Sequence, residues 1–264
     1  MFRRIGFFRN ARSESEVEVS ESRGIRSLCL GSSTVQSSMK LTDPYELVLD
    51  YTQAMMSFML FHNQVRSVAC IGLGGGSIPK FIWKNLPDVK VSVVENSEQV
   101  INVARQYFFV PDDDERLSVI HADGLEWIVD AGQYDVIMLD AFDAFGVPGG
   151  FVDDEFTHRV KNCLAHDGIY IQNLWSSDPQ LKSRIRKIES YFDQIALVPT
   201  PKGGNIVALA FRSGPTAAQL SKIDRLARGL KQSLGLDFDA MLDRMRSFQS
   251  SQEKNFLSDR LGVQ

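Results

Sequence analysis

The apolar run Val68-Ala-Cys-Ile71 enters a cluster of glycines, Gly72-Leu-Gly-Gly-Gly76, and a helix-like segment follows from Ile78 to Asn85. This arrangement narrows the possible folds more than any other feature of the chain. Glycine is required where a strand turns sharply into a helix beside a bound nucleotide, because a side chain would hold the ligand off the backbone. A second apolar run, Val89 to Val94, ends in Glu95, and Gly76 and Glu95 stand 19 positions apart, close to the roughly 20 at which an acid reaches both hydroxyls of a ribose. Gly72, Gly74, Gly75 and Glu95 are therefore candidate nucleoside-binding residues.

From Arg66 to Arg212 strand-like and helix-like segments alternate. Strands are expected near 67–72, 89–95, 117–121, 134–140, 168–174, 193–198 and 205–211, with helices near 77–85, 97–108, 124–131, 153–165 and 179–190. Such alternation predicts right-handed crossovers and a mostly parallel seven-stranded sheet covered on both faces. The connection Pro199-Thr-Pro-Lys-Gly-Gly204 is too short for a parallel crossover, so the last strand should be antiparallel. The fold class is α/β, a methyltransferase-like Rossmann fold, with the nucleoside-binding domain spanning 45–212. Before it, 1–44 reads as an N-terminal β unit, with Val17 and Val19 alternating with Glu14, Glu16 and Glu18 and a turn at Ser22-Arg-Gly24. Residues 45–62 read as a helix after Asp43-Pro44, with Met55, Met56 and Met59 as core filling. After it, 213–264 reads as a helical extension, two amphipathic helices broken near Gly235 that form a cap or a dimer contact.

Composition excludes several classes. A net charge of −4 argues against nucleic acid or an anionic membrane as the main partner. Cys29, Cys70 and Cys163 lie far apart without CxxC spacing and read as buried thiols in a reducing compartment, and the four histidines offer no metal-ligand pair, so no metal site is expected. The apolar stretch near Ile5 is too short for a signal peptide core, and no run reaches the roughly 18 apolar residues of a membrane span, which makes a cytoplasmic location the expectation. The acidic run Asp112-Asp-Asp-Glu115 reads as a solvated loop.

In a parallel sheet ligands bind beyond the carboxyl ends of the strands, and acids gather there. The third strand is followed by Asp123-Gly124, where Asp123 can meet the amine of an adenine or simply cap the next helix. The fourth ends in Asp140-Ala-Phe-Asp143, beside the loop Gly146-Val-Pro-Gly-Gly150. Two carboxylates three residues apart can hold a cation and accept a proton from it.

With these residues in view the chain resembles spermidine synthases, the polyamine aminopropyltransferases, and in particular their shorter bacterial relatives. The resemblance runs from about Arg23 to Arg212 through Val35-Gln36-Ser37, Asp50-Tyr51, Gly72-Leu-Gly-Gly-Gly76, Val94-Glu95, Asp123-Gly124, Tyr134-Asp-Val-Ile-Met-Leu-Asp140-Ala-Phe-Asp143 and Gln172-Asn-Leu-Trp175. It implies aminopropyl transfer from decarboxylated S-adenosylmethionine, as co-substrate and without a prosthetic group, to a diamine such as putrescine. It also implies that Gln36 and Glu95 touch the nucleoside, Asp123 its adenine, Asp140 the attacking amine, and Asp143 with Tyr51 the polyamine, in a homodimer. An alkylammonium with a pKa of about 10.4 is no nucleophile at neutral pH, so the chemistry requires a carboxylate that stabilises the cation and takes its proton.

Two positions depart from the family. Its glycine loop carries an aspartate for the aminopropyl ammonium where this chain has Gly75, and its Tyr-His-Glu triplet is Tyr51-Thr52-Gln53 here. Nearby acids Asp153, Asp154 or Glu155 are candidates to compensate. The alternatives are an S-adenosylmethionine-dependent methyltransferase on the same fold and a nucleoside-binding protein without catalysis.

Overall fold

The computed structural model describes residues 3–8, 17–31, 34–62, 64–142 and 146–248. Four strands, β1 (Arg3–Phe8), β2 (Val17–Ser22), β3 (Ile25–Leu30) and β4 (Val35–Lys40), form an antiparallel meander in chain order. The β2–β3 turn places Arg23 at φ 51° and Gly24 at φ 77°, the double left-handed geometry whose twist matches a hairpin. Strand β1 extends the expected β unit toward the start of the chain, and its register shifts between Arg4 and Gly6. The expected alternation at Glu14 and Glu16 lies outside the described residues.

The segment expected to be one helix over 45–62 is shorter. It forms α1 (Asp50–Met55) followed by a 3-10 turn over Met56–Leu60. Asp43 Oδ1 accepts from the Tyr45 N–H at 3.1 Å, and the Gln53 side chain donates to the Leu47 carbonyl at 2.7 Å. Side chains thus satisfy backbone groups that a longer helix would have paired; the chain turns at 44–46, and Leu49, just before α1, is extended. Met55 and Met56 are fully buried in the core.

The main sheet is built from β5 (Ser67–Ile71), β6 (Lys90–Glu95), β7 (Leu117–His121), β8 (Tyr134–Leu139), β9 (Leu164–Trp175), β10 (Gln194–Pro199) and β11 (Asn205–Phe211). Their spatial order is β10-β11-β9-β8-β5-β6-β7, and β11 alone runs antiparallel to its neighbours. Helices α2 (Ser77–Asn85), α3 (Glu98–Phe108), α4 (Gly124–Trp127), α5 (Asp154–Asn162) and α6 (Leu181–Tyr191) connect the strands. The two helices α4 and α5 end earlier than the sequence suggests, α5 because β9 begins at Leu164. Alternate residues serve two cores. Val68 and Cys70 join Val136 and Met138 on one face, while Ala69 and Ile71 join Ile137 and Leu139 on the other. Burial on both faces is why these strands read as continuous apolar runs.

The chain ends in α7 (Ala217–Leu220), α8 (Ile223–Leu234) and α9 (Phe238–Ser247). Gly235, at φ 71°, stops α8 in the left-handed conformation that glycine adopts without strain. Ile223, Ala227, Met241, Leu242 and Met245 are packed into the core of the main sheet, and Arg246 grips Asp224 with two hydrogen bonds of 2.8 and 2.9 Å. The acidic run after α3 is ordered by its own contacts: Asp114 accepts from the indole of Trp83 at 2.8 Å, and Asp113 pairs with Arg105 at 2.8 Å.

The β unit sits on α3, where Val17, Val19, Leu28 and Met39 meet Val100, Val103 and Phe108. On α2, toward the β unit, lies a fully buried lysine, Lys80, whose Nζ donates to the Phe108 carbonyl at 2.5 Å and contacts Met39 Sδ at 3.4 Å. Burial pushes this amine down to about 7, so the folded protein carries fewer protons than the unfolded chain between that value and the ordinary lysine range. Stability from this group is therefore fully present above the ordinary lysine range and is lost as pH falls from that range to about 7, with no further loss below it. Against a Lys80→Met variant, the wild-type unfolding free energy in urea should gain roughly 3 kcal/mol between pH 6 and pH 9.5. A pH-independent difference would show that Lys80 does not titrate in this window.

Candidate active site

The sheet order reverses direction between β5 and β8, and the crevice opens there. Gly72 makes the crevice possible. It lies at φ +99°, and a Cβ on it would stand 2.4 Å from the Asp140 carbonyl oxygen. The loops after β5 and β8 can therefore touch, and the Asp140 N–H donates to the Ile71 carbonyl at 2.9 Å. A cavity of about 440 Å³ results, bounded by Gly72, Gly74, Glu95, Gly124, Asp140 and, from β4, Gln36.

Glu95 is held by backbone donors. Its Oε2 accepts from the Leu73 N–H and its Oε1 from the Ser97 N–H, each at 3.0 Å. Burial still raises its pKa, the largest influence, against the lowering effect of these N–H groups. The carboxylate thereby ties the glycine loop to the start of α3, where Ser97 caps the helix by accepting from Val100 N–H at 3.3 Å. Gln36 has a buried Nε2 with no hydrogen-bond partner among the described residues. Such an orphaned donor is costly unless a ligand supplies an acceptor. The fixed acid, the free amide donor and the glycine turn fit a nucleoside.

Asp140 lies deepest in the reactive part of the cavity. The Asn173 amide donates to its Oδ1 at 2.9 Å, and the Tyr51 hydroxyl is within hydrogen-bonding reach of it. Burial outweighs both and pushes the carboxyl up to about 7. The same surroundings hold the Tyr51 hydroxyl well above the ordinary tyrosine range, and its proton is directed to the Gln36 carbonyl at 3.0 Å. A carboxyl poised near neutrality, in a cleft with a hydrogen-bonded partner, is suited to proton transfer.

A second cavity of about 250 Å³ shares Gln36, Tyr51 and Phe142 with the first and adds Asp50, Asn173 and Trp175. Phe142 and Trp175 stack in its wall at 5.1 Å with an interplanar angle of 8°. Apolar walls between two carboxylates, Asp140 and Asp50, suit a short chain ending in ammonium groups.

Some residues singled out from sequence stand outside the set that bounds the cavity. Asp123 is exposed, and its Oδ1 caps α4 by accepting from the Leu125 N–H at 2.8 Å. Its neighbour Gly124 lines the cavity, where a Cβ would collide with Ile71 at 2.6 Å. Gly75 is turned away from the cavity, and a Cβ there would meet Ser37 Oγ at 2.6 Å and Phe108 at 2.9 Å. Asp153, Asp154 and Glu155 are exposed at the start of α5; Asp154 pairs with Lys187 and Glu155 with Arg159. They are not among the residues that line the cavity. Asp143 lies outside the described residues. Thr52 gives its hydroxyl to the Leu49 carbonyl at 2.6 Å, as Gln53 gives its amide to Leu47. Sequence reasoning quoted Asn173 within the run Gln172–Trp175 without giving it a role, and missed Asn205. Their signal was a polar residue at the carboxyl end of one apolar strand and at the start of its antiparallel partner.

Residues 49–212 match the family model for the spermine/spermidine synthase domain. The polyamine aminopropyltransferase of Neisseria meningitidis is 38% identical over 244 residues, which cover 91% of this chain and 93% of that protein. The chain therefore belongs to the spermine/spermidine synthase family. Two solved structures share its fold. Spermidine synthase in complex with the transition-state analogue AdoDATO superposes with a TM-score of 0.75 at 18% identity, covering 94% of this chain and 86% of that one. Human methyltransferase-like protein 13 in complex with SAH gives 0.61 at 24% identity, covering 81% and 100%.

The contact between Gly72 and Asp140 has a direct test. Gly72→Ala combines an unfavourable φ with a collision against backbone, and should cost about 1–3 kcal/mol of stability. Thermal unfolding should show a midpoint lowered by several degrees, together with weakened nucleoside binding; wild-type behaviour in both would show that the two loops do not touch.

Proposed function

We propose that this member of the spermine/spermidine synthase family is an aminopropyltransferase, moving an aminopropyl group from decarboxylated S-adenosylmethionine to a diamine such as putrescine. The observation that carries the reading is Asp140, a buried carboxyl that lines the cavity fitted to a nucleoside and is hydrogen-bonded to Asn173 in the wall of the adjoining cavity fitted to an aliphatic amine. Glu95 accepts hydrogen bonds from the ribose, and Gln36 donates its free amide hydrogen to the nucleoside. Asp123 keeps one carboxylate oxygen for the adenine amine, beside Gly124. The diamine lies along Phe142 and Trp175, and Tyr51 and Asp143 bind it.

The reaction is a displacement. The amine nitrogen attacks the carbon next to the sulfonium, the carbon–sulfur bond breaks, and its electron pair leaves with methylthioadenosine. The proton lost by the amine passes to Asp140. The cavity supplies alignment of nitrogen, carbon and sulfur, a contribution that reaches several kcal/mol when two reactants are held together, roughly 7–11 at the limit. The incoming cation favours the ionised form of Asp140 just as the base is needed. A cytoplasmic homodimer belongs to the same proposal, supported by the family resemblance alone.

One observation favours a second reading. Gly75 stands where the family places an acid for the aminopropyl ammonium, and its packing against Ser37 and Phe108 leaves no space for one. A cavity without that acid admits the carboxylate of S-adenosylmethionine, which would make the chain a methyltransferase.

Asp140 must be ionised to accept a proton, so activity is present above about 7 and lost below it. In the wild type, kcat/KM for the diamine should rise through an acid limb near pH 7. Asp140→Asn should lower turnover by roughly 10²–10⁴ with little change in nucleoside affinity. Unchanged turnover in that variant would remove Asp140 from the role.

A further inference from the structure

Three side chains form a line that ends on the proposed base. The Asn205 Nδ2 donates to Asn173 Oδ1 at 2.8 Å, and Asn173 Nδ2 donates to Asp140 Oδ1 at 2.9 Å. The β9–β11 register pairs Asn173 with Val207 and Trp175 with Asn205, so the two asparagines are diagonal neighbours on one face of the sheet, within reach of each other. Asn173 is only 2% exposed and cannot exchange either bond for water. The far end is anchored as well. The Asn205 N–H donates to Thr200 Oγ1 at 3.1 Å, and its carbonyl accepts from the Thr200 N–H at 2.9 Å.

A primary amide has a donor end and an acceptor end, and which end meets a carboxyl decides which charge state it favours. With its NH2 toward Asp140, Asn173 favours the carboxylate. Turned over, its carbonyl would repel a carboxylate and would accept from the protonated acid instead. The donor on Asn205 holds the Asn173 carbonyl away from Asp140. We propose that Asn205 is a positioning residue for the reaction: through Asn173, and without touching the reacting atoms, it keeps Asp140 in the form that accepts the amine proton. This inference rests on the proposed role of Asp140.

The other groups around Asp140 cannot do the same work. Tyr51 from α1 and Cys70 from β5 face it, and burial raises both, Cys70 to about 12, so neither carries charge near neutrality. Glu95 is occupied by the Leu73 and Ser97 N–H groups. In the adjoining cavity Asp50 and Lys202 face each other at 3.7 Å, a loose pair with Lys202 exposed to solvent. Of the interactions that lower the Asp140 pKa, the Asn173 bond is the larger.

The test is a carboxyl ¹³C NMR titration of Asp140 in the ligand-free protein, with Asp140→Asn supplying the assignment. Asn205→Leu and Asn173→Leu should each raise the Asp140 midpoint by about one pH unit, a tenfold change in proton affinity. Asn205→Gln, which retains a donor, should restore most of the wild-type value. In the Asn173→Leu background, Asn205→Leu should add nothing, because both act through one bond. An unmoved midpoint in Asn205→Leu, or a full additional shift in the double variant, overturns the proposal. The titration uses no substrate, so it decides the positioning role whether or not the protein transfers an aminopropyl group. Where transfer is measured, the acid limb of the rate profile should move with the NMR midpoint, a shift that general loosening of the strand would not produce.

Discussion

The close passage of Gly72 under the Asp140 carbonyl is the contact on which the site depends. Its 2.4 Å clearance for a Cβ excludes every other residue, and the hydrogen bond from the Asp140 N–H to Ile71 fixes the height at which the aspartate leaves its strand. Gly72 also donates its own N–H to the Val94 carbonyl at 2.8 Å, one residue before Glu95. One glycine thus links the ends of β5, β6 and β8, and places two carboxylates around a single cavity at the reversal of the sheet. A wider passage would separate the nucleoside-holding acid from the reactive one.

Those two carboxylates show how surroundings assign roles. Glu95 spends both oxygens on backbone N–H groups and acts as a rigid acceptor built into the loop. Asp140 has two side-chain partners and greater desolvation, so it remains close to balance between its two forms. A group in balance can take up a proton and release it at neutral pH, while a group locked in one form can only bind. The asparagine pair beyond Asp140 leans the balance toward the ionised form and spans β9 and the reversed strand β11.

Much of this architecture was legible in the sequence. Continuous Val and Ile runs marked the buried parallel strands, the glycine cluster marked the nucleotide turn, and the short Pro199–Gly204 connection marked the reversed strand. Glu95 and Asp140 stood out because strand ends in such a sheet face the ligand, whereas Tyr51, on α1, came only from the family resemblance. Other features depended on particular contacts, local or distant, that apolar patterning does not reveal. Strand β1 is interrupted by a register shift and has no clean alternation. The helix over 45–62 gave way because Asp43 and Gln53 bind backbone that a longer helix would have paired. Capping holds Asp123 at the surface, and the orientation of Gly75 depends on Ser37, which lies in another sheet. Asn205 gains its meaning only from the β9–β11 register.

Product analysis by mass spectrometry tests the account most directly. Purified protein would be incubated with putrescine and either decarboxylated S-adenosylmethionine or S-adenosylmethionine itself. The account predicts spermidine and methylthioadenosine in equal amounts from the decarboxylated donor, and no transfer from S-adenosylmethionine. A methylated product with S-adenosylhomocysteine from the second donor, or no spermidine from the first, would contradict it.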